Sequence, residues 1–185
     1  MARKSPDKFQ DVQIFSNDSF SSDLGSFHVN YKRELIEDYN FCQDSISKIF
    51  QAFTVKGMHF QFNGFEQAKL VSVIQGSLID YFVDLRETSS TYLDYGHIDI
   101  NDQNNLMILI PKGFAHGYIT LEDNTYINYK MDNDYSKANE ATLCWNDPSI
   151  EILWPYAKEY FLSEKDRNGM TLLEIQNLLG HSSKH

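Results

Sequence analysis

Cysteine is almost absent from this 185-residue chain. Cys42 and Cys144 stand a hundred residues apart, and neither belongs to a paired motif. That spacing argues against a disulfide framework and a cysteine-built zinc site, and both thiols read as free, buried side chains in a reducing cytosol. Basic residues are also few: 16 Lys and Arg against 26 Asp and Glu leave a net charge of −10. Such a balance argues against a nucleic-acid backbone or an anionic membrane as partner. It leaves room for a phosphorylated small molecule, because a local pocket can be basic inside an acidic shell. No hydrophobic run approaches the roughly 20 residues of a membrane span, and no signal-peptide core is present, so a cytoplasmic location is expected. Internal repeats and low-complexity tracts are missing too.

What is plentiful is aromatic and β-branched. Eleven Tyr and thirteen Phe exceed what a core of this size needs, and most are expected to pack between sheets. The length suits a single domain over 1–185 with a sizeable core. Polar, mixed-charge residues 1–11 read as a mobile arm. Short apolar runs separated by Ser, Asn and Asp between 12 and 55 suggest edge strands and long loops. Regular strands are expected over 68–74, 78–85, 97–100, 106–110, 117–121 and 125–131, broken by Gly76, by Asp102–Asn105 and by Glu122–Asn124. Many short, closely spaced strands, occupying 12–155, mean an all-β sandwich, jelly roll or barrel. After Pro148 the character changes. The stretch 156–185 reads as a loop and a short helix, with a capping box at Thr171–Glu174, an apolar face of Leu172, Ile175, Leu178 and Leu179, and a stop at Gly180.

Two histidines stand out against this background. His59 lies in Lys56-Gly57-Met58-His59-Phe60-Gln61 and His116 in Phe114-Ala115-His116-Gly117, each among apolar and small residues and next to a β-type run. Side chains so placed point into the mouth of a small barrel. Lys69 sits in an apolar strand, where an ammonium is costly unless something uses it. Tyr129 falls one hairpin after His116 and can reach the same mouth, as general acid or stacking ring. A lone histidine in an apolar strand is usually a satisfied core residue; two of them with an inward lysine point to chemistry. A neutral imidazole suits proton abstraction near pH 7, and a cation suits a developing oxyanion. Trp145-Asn146-Asp147-Pro148 reads as a structural corner.

The run 56–166 resembles the dTDP-4-dehydrorhamnose 3,5-epimerase family. The matching pieces are KGMHFQ, QAKLVSVIQGSLIDYFVDLR, IPKGFAHGY, the pair Tyr129 and Tyr135, WNDPSIEILWP and LSEKD, in the family's order. The resemblance implies a cupin-type jelly roll with a short C-terminal helix, and epimerisation of a nucleoside-diphosphate 4-keto sugar without a cofactor. It implies His59 as general base, Asp166 as its carboxylate partner, Lys69 and His116 beside the keto oxygen, and Tyr129 as proton donor on the opposite face. Tyr135 would pack near sugar and nucleotide, Asp80 would be a pocket carboxylate, and Gln43, Lys56, Gln61 and Lys165 would contact the substrate. A homodimer is implied as well, its N-terminal segment reaching the neighbouring barrel.

The chain departs from that pattern at the nucleotide end. Lys56 replaces an arginine, Leu24 and Val29 replace an arginine and a glutamate that help read thymine, and Ser45 replaces an asparagine. These changes favour a CDP-linked 3,6-dideoxy-4-hexulose inverted only at C5, as in ascarylose biosynthesis. The dTDP-linked sugar of the rhamnose pathway, with inversion at C3 and C5, is the alternative. Two other classes stay open: a metal cupin with His59, Glu66 and His116 as ligands, against which Gln61 breaks the usual His-x-His pair, and a non-catalytic sugar-binding cupin.

Overall fold

The Val, Ile, Tyr and Phe runs pair as antiparallel strands in the computed structural model, which describes residues 3–4, 8–16 and 18–181. In chain order the strands are β1 (Arg3–Lys4), β2 (Gln13–Ser16), β3 (Ser19–Ser22), β4 (Gly25–His28), β5 (Gln43–Ile49), β6 (Val55–Gln61), β7 (Lys69–Gln75), β8 (Ser77–Asp84), β9 (Tyr95–Asn101), β10 (Leu106–Ile110), β11 (Phe114–Thr120), β12 (Thr125–Met131) and β13 (Glu140–Thr142). One six-stranded sheet runs β1-β2-β10-β7-β12-β5 and a five-stranded sheet runs β13-β6-β11-β8-β9, with β3 and β4 forming a separate hairpin. Sequence neighbours repeatedly sit in opposite sheets, the crossover pattern of a jelly roll. Two short helices, α1 (Glu164–Arg167) and α2 (Leu172–Leu179), close the chain.

Period-two alternation decides what lies between the sheets. Val71, Ile127 and Ile108 from one sheet meet Leu78, Phe82, Ile100 and Phe114 from the other in a buried cluster. Each such side chain contributes roughly 1.5–3 kcal/mol on burial. The same alternation, carried toward one end of the barrel, brings Lys69 and Tyr129 inward from the six-stranded sheet and His59 and His116 from the five-stranded one. Apolar side chains fill one end and polar ones the other, so the barrel has a floor and a mouth. The outer face of the five-stranded sheet is covered by the C-terminal segment, where Leu143, Ile150, Leu172 and Ile175 pack on Met58, Phe60, Tyr81 and Val83. The outer face of the six-stranded sheet receives Ile36, Tyr31, Tyr39 and Phe41.

Several expectations needed correction. β11 begins at Phe114, three residues before the expected start, because Phe114 itself packs inward. Within the expected arm 1–11, residues 1, 2 and 5–7 lie outside those described. However, Arg3–Lys4 pairs with Gln13 and Ile14, and Phe9 is buried, its ring 5.0 Å from that of Phe82. Those parts are tied to the barrel by an aromatic anchor that a polar composition hides. Cys42 is exposed and Cys144 partly exposed, so neither thiol is a core residue. In the C-terminal helix the Thr171–Glu174 capping box and a left-handed Gly180 cap are as expected. Leu178, however, is exposed while Gln176 is buried, and 182–185 lie outside the described residues. The Trp145–Pro148 corner is formed: Asp147 accepts from the Ser149 and Leu172 N–H groups, each at 2.8 Å.

One local departure from regular pairing prepares the site. The register of β11 against β6 shifts between His116 and Tyr118, where Gly57 faces Gly117. A Cβ on Gly57, whose φ is +116°, would stand 2.6 Å from the Gly117 Cα. The irregularity re-aims the strand, so that Lys56 and His59, three residues apart, both reach the barrel interior. Gly57→Ala is expected to cost more than the roughly 1–3 kcal/mol of backbone strain alone, because the clash is with main chain. Gly64→Ala, at φ +86° with nothing within 4 Å of the added Cβ, should cost only the strain. Urea midpoints of the two variants measure the difference, and equal losses would contradict the close-approach role of Gly57.

Candidate active site

The mouth of the barrel holds a cavity of about 250 Å³ lined by Lys56, His59, Lys69, His116 and Tyr129. His59 comes from β6 and stands level with His116 of β11 in the pairing register. Lys69 and Tyr129 come from β7 and β12 in the facing sheet. The residues expected to do chemistry therefore converge, and they do so from two opposite walls.

His59 Nε2 lies 2.6 Å from Asp166 Oδ1. Asp166 is completely buried, and the loop that carries it is built to hold a carboxylate. Ser163 caps α1 by accepting the Asp166 N–H and donates its hydroxyl to Asp166 Oδ2 at 2.5 Å. The Gly57 N–H adds a third hydrogen bond at 3.1 Å. Burial pushes this carboxyl up, but the hydrogen bonds from His59, Ser163 and Gly57 outweigh it and hold the group at about 2. An ionised carboxylate only accepts, so His59 carries its proton on Nε2 and presents the Nδ1 lone pair as the basic atom. Burial lowers the His59 pKa below its usual 6.5, with Asp166 opposing in part. At neutral pH the ring is a neutral base whose cation, once formed, has a counter-charge waiting.

A second histidine–carboxylate pair lies deeper. His116 Nε2 is 2.8 Å from Asp80 Oδ2, and both residues are buried. Asp80 Oδ1 has no partner, and burial raises this carboxyl while His116 and Lys69 pull it down. The Lys69 ammonium donates to the His59 carbonyl at 3.3 Å. Burial lowers its pKa to about 8, offset in part by Asp80 and Glu140, which leaves a cation poised near neutrality for a developing oxyanion. Tyr129 is pushed well above the ordinary phenol range by burial and by Tyr118, so at neutral pH it is a proton donor and not a base.

The remaining expected residues are placed less uniformly. Asp80 sits behind His116, as the pairing shows. Lys56 Nζ is 4.0 Å from Asp166 Oδ2, at the cavity edge. Tyr135, 57% exposed, donates to Glu140 Oε2 at 2.9 Å, and Lys165 Nζ is 2.5 Å from Glu140 Oε1, so both stand at the rim through one carboxylate. Gln43 donates to Ser45 Oγ at 3.0 Å on β5 and does not line the cavity. Gln61, expected to contact the substrate, does not line the cavity either. Its amide is spent on Phe65, Asp134 and Ser136 main chain, where it ties two loops to β6. The metal alternative loses its geometry as well: His59 and His116 use Nε2 on aspartates, and Glu66 accepts from the Gly64 N–H. Among the described residues no group of three His, Cys, Asp or Glu side chains converges on a metal position. Sequence reading missed Glu140, Tyr118, Ser47, Gln67 and Met131, all of which line the cavity. Tyr118 was within reach of the same argument as His116, since residues two apart on a strand share a face.

The chain is similar to known proteins over most of its length. The profile of the dTDP-4-dehydrorhamnose 3,5-epimerase family matches residues 6–174. A dTDP-4-dehydrorhamnose 3,5-epimerase of Sinorhizobium fredii is 39% identical over 149 residues, 80% of this chain and 76% of the relative. One from Shigella flexneri is 34% identical, covering 89% and 92%. Among solved structures, the dTDP-4-dehydrorhamnose 3,5-epimerase of Bacillus anthracis with TDP and PPi bound superposes with TM-score 0.87 at 35% identity, over 93% of this chain and all of that one. A Legionella pneumophila epimerase in complex with dTDP-4-keto-L-rhamnose gives TM-score 0.89 at 27% identity, over 100% and 99% of the two chains.

The His59–Asp166 pair makes a prediction that needs no substrate. Because Asp166 is the partner that raises the His59 pKa against burial, Asp166→Asn is expected to lower it further. An imidazole titration followed by NMR reads this directly. A His59 pKa unchanged or raised in the variant would contradict the pairing.

Proposed function

Since the chain belongs to the dTDP-4-dehydrorhamnose 3,5-epimerase family, we propose that it inverts C3 and C5 of a dTDP-linked 4-keto-6-deoxyhexose by removing and returning a proton at each carbon. That it is an isomerase of nucleotide sugars follows from membership; the carrier and the two positions are the finer reading. The observation that carries it is the position of His59 and Tyr129, on facing sheets across one cavity. Hydrogens at C3 and C5 are weakly acidic because the C4 ketone accepts the electron pair. His59 Nδ1 takes one, the C–H pair becomes the C=C of an enolate, and the imidazolium is stabilised by Asp166. Lys69 and His116 hold the enolate oxygen. Tyr129 then gives its hydroxyl proton to the same carbon from the other face, which inverts it. A positioned acid or base typically contributes 10²–10⁴ in rate.

Lys56 and Lys165 at the rim suit the diphosphate, and Tyr135 beside them suits the nucleoside. The cytidine carrier with inversion at C5 alone, expected from Leu24 and Val29, gives way to the dTDP reading. The relatives that hold TDP or a dTDP sugar support it. A cytoplasmic homodimer completes the proposal. Phe20 and Phe27, 64% and 65% exposed on that hairpin, offer an apolar surface to a second copy.

Two outcomes test this reading. The kcat/KM profile should fall on the acid side below pH 6.5, as His59 becomes protonated, and on the alkaline side near pH 8, as Lys69 loses its proton. Lys69→Arg, always charged, should remove the alkaline limb; its persistence would assign that limb to another group. In deuterium oxide, Tyr129→Phe should still exchange substrate hydrogen from the His59 face, with configuration retained and at least about a hundred-fold less inversion. Inversion at the wild-type rate would exclude Tyr129 as the donor.

A further inference from the structure

Among the described residues that line the cavity, Met131 alone has an aliphatic side chain. Every other side chain there carries a hydroxyl, amide, imidazole, ammonium or carboxylate group. Pairing fixes its place. Met131 ends β12, two residues after Tyr129 and so on the same inward face. It stands directly opposite Lys69 of β7, a position that sets the two Cβ atoms about 4.5–5.5 Å apart. Its carbonyl accepts the Cys42 N–H at 2.9 Å, which pins the main chain and leaves the side chain free to move. That side chain is partly exposed and belongs to none of the three apolar clusters that fill the barrel and cover its sheets. Core packing therefore does not account for it. Apolar surface gains from leaving water, and in a polar cavity the group that can cover it is an apolar part of the ligand.

We propose that Met131 receives the C6 methyl group of the sugar and so selects 6-deoxy sugars over their 6-hydroxy counterparts. The inference rests on the epimerase reading above and names a specificity-determining contact within it. With the C4 oxygen at Lys69 and a reacting carbon in front of Tyr129, C5 lies between the two residues that flank Met131, one across the sheet and one along the strand. The methyl is the substituent that C5 carries outside the ring, and it is the one wholly apolar group beside the ketone. On the other side C3 carries a hydroxyl, which a thioether serves poorly as a partner. Inversion at C5 moves the methyl from one face of the ring to the other, so a rigid pocket would fit only one of the two epimers. Methionine is unbranched, with three rotatable bonds and a polarisable sulfur, and it can follow the methyl through both configurations. A hydroxymethyl group in the same place would give up hydrogen bonds to water without regaining them, and that loss is the basis of selection.

The test compares kcat/KM of full-length wild type, Met131→Gln and Met131→Leu on dTDP-linked 4-keto-6-deoxyglucose and on its 6-hydroxy counterpart. Wild type should favour the 6-deoxy sugar roughly ten- to a hundred-fold. Met131→Gln keeps the length of the side chain and makes its end polar, so it should shrink that preference to within about three-fold, chiefly by slowing the 6-deoxy sugar. Met131→Leu, still apolar, should retain the preference. A wild type that does not discriminate, or a Met131→Gln that discriminates as wild type does, would overturn the proposal. A readout without turnover separates this from failure of the epimerase reading. dTDP-6-deoxyglucose has no ketone and cannot form an enolate. In protein labelled with 13C at the methionine methyls, its binding should shift the signal that Met131→Leu removes, and dTDP alone should leave that signal in place. A signal that stays put with the 6-deoxy sugar, or moves equally with dTDP alone, means that the methyl contact is absent and the proposal falls. If the signal shifts with the sugar while wild type exchanges no hydrogen of the 4-keto sugar in deuterium oxide, the contact stands and the epimerase reading falls.

Discussion

A buried carboxylate is the constraint on which the rest of this structure depends. Asp166 has no exposure, and an ion placed there is costly unless fully hydrogen-bonded. Ser163, the Gly57 N–H and His59 each donate to it, which joins a C-terminal helical turn, the irregular start of β6 and the cavity wall at one point. Much follows from that anchor. The packing of residues 143–181 on the outer sheet positions the carboxylate, the Gly57–Gly117 approach admits it, and the ionised group decides which nitrogen of His59 is free. A base that is neutral at pH 7 and whose conjugate acid is already paired needs little rearrangement when the proton arrives.

The opposite wall works by burial without a counter-charge of its own. Tyr129 and Lys69 come from neighbouring strands of the six-stranded sheet, and desolvation moves the two groups in opposite directions, the phenol up and the ammonium down. The result is one side of the cavity that accepts a proton and another that gives one. The acidic surface, net −10, is compatible with an anionic ligand because Lys56, Lys69 and Lys165 gather around a single mouth, with Glu140 holding Lys165 and Tyr135 at its edge.

The strands and four of the side chains that line the cavity were legible in the sequence because both follow from period two. Once His59, Lys69, His116 and Tyr129 were placed on strands, a common interior was the consequence. The resemblance added Asp166, which no periodicity reveals, since its role depends on a fold-back of more than a hundred residues. What escaped reading was of the same long-range kind. The amide of Gln61 is consumed by loops 65 and 134–136, Glu140 reaches the mouth from a three-residue strand, and Phe9 inserts into the core from a segment whose composition reads as solvent-exposed. Tyr118 is different. Its position was available from His116 by counting two, but an aromatic residue in an aromatic-rich barrel reads as packing until the walls of the cavity are known.

The central claim is that one base and one acid on facing sheets invert the carbons beside a ketone of a dTDP-linked sugar. Proton NMR of the wild-type protein with dTDP-linked 4-keto-6-deoxyglucose in deuterium oxide tests it most directly. The account predicts loss of both the C3 and the C5 proton signals, with product inverted at both carbons. Retention of both signals with that sugar, alongside loss of the C5 signal alone in a CDP-linked 3,6-dideoxy-4-hexulose, would contradict it.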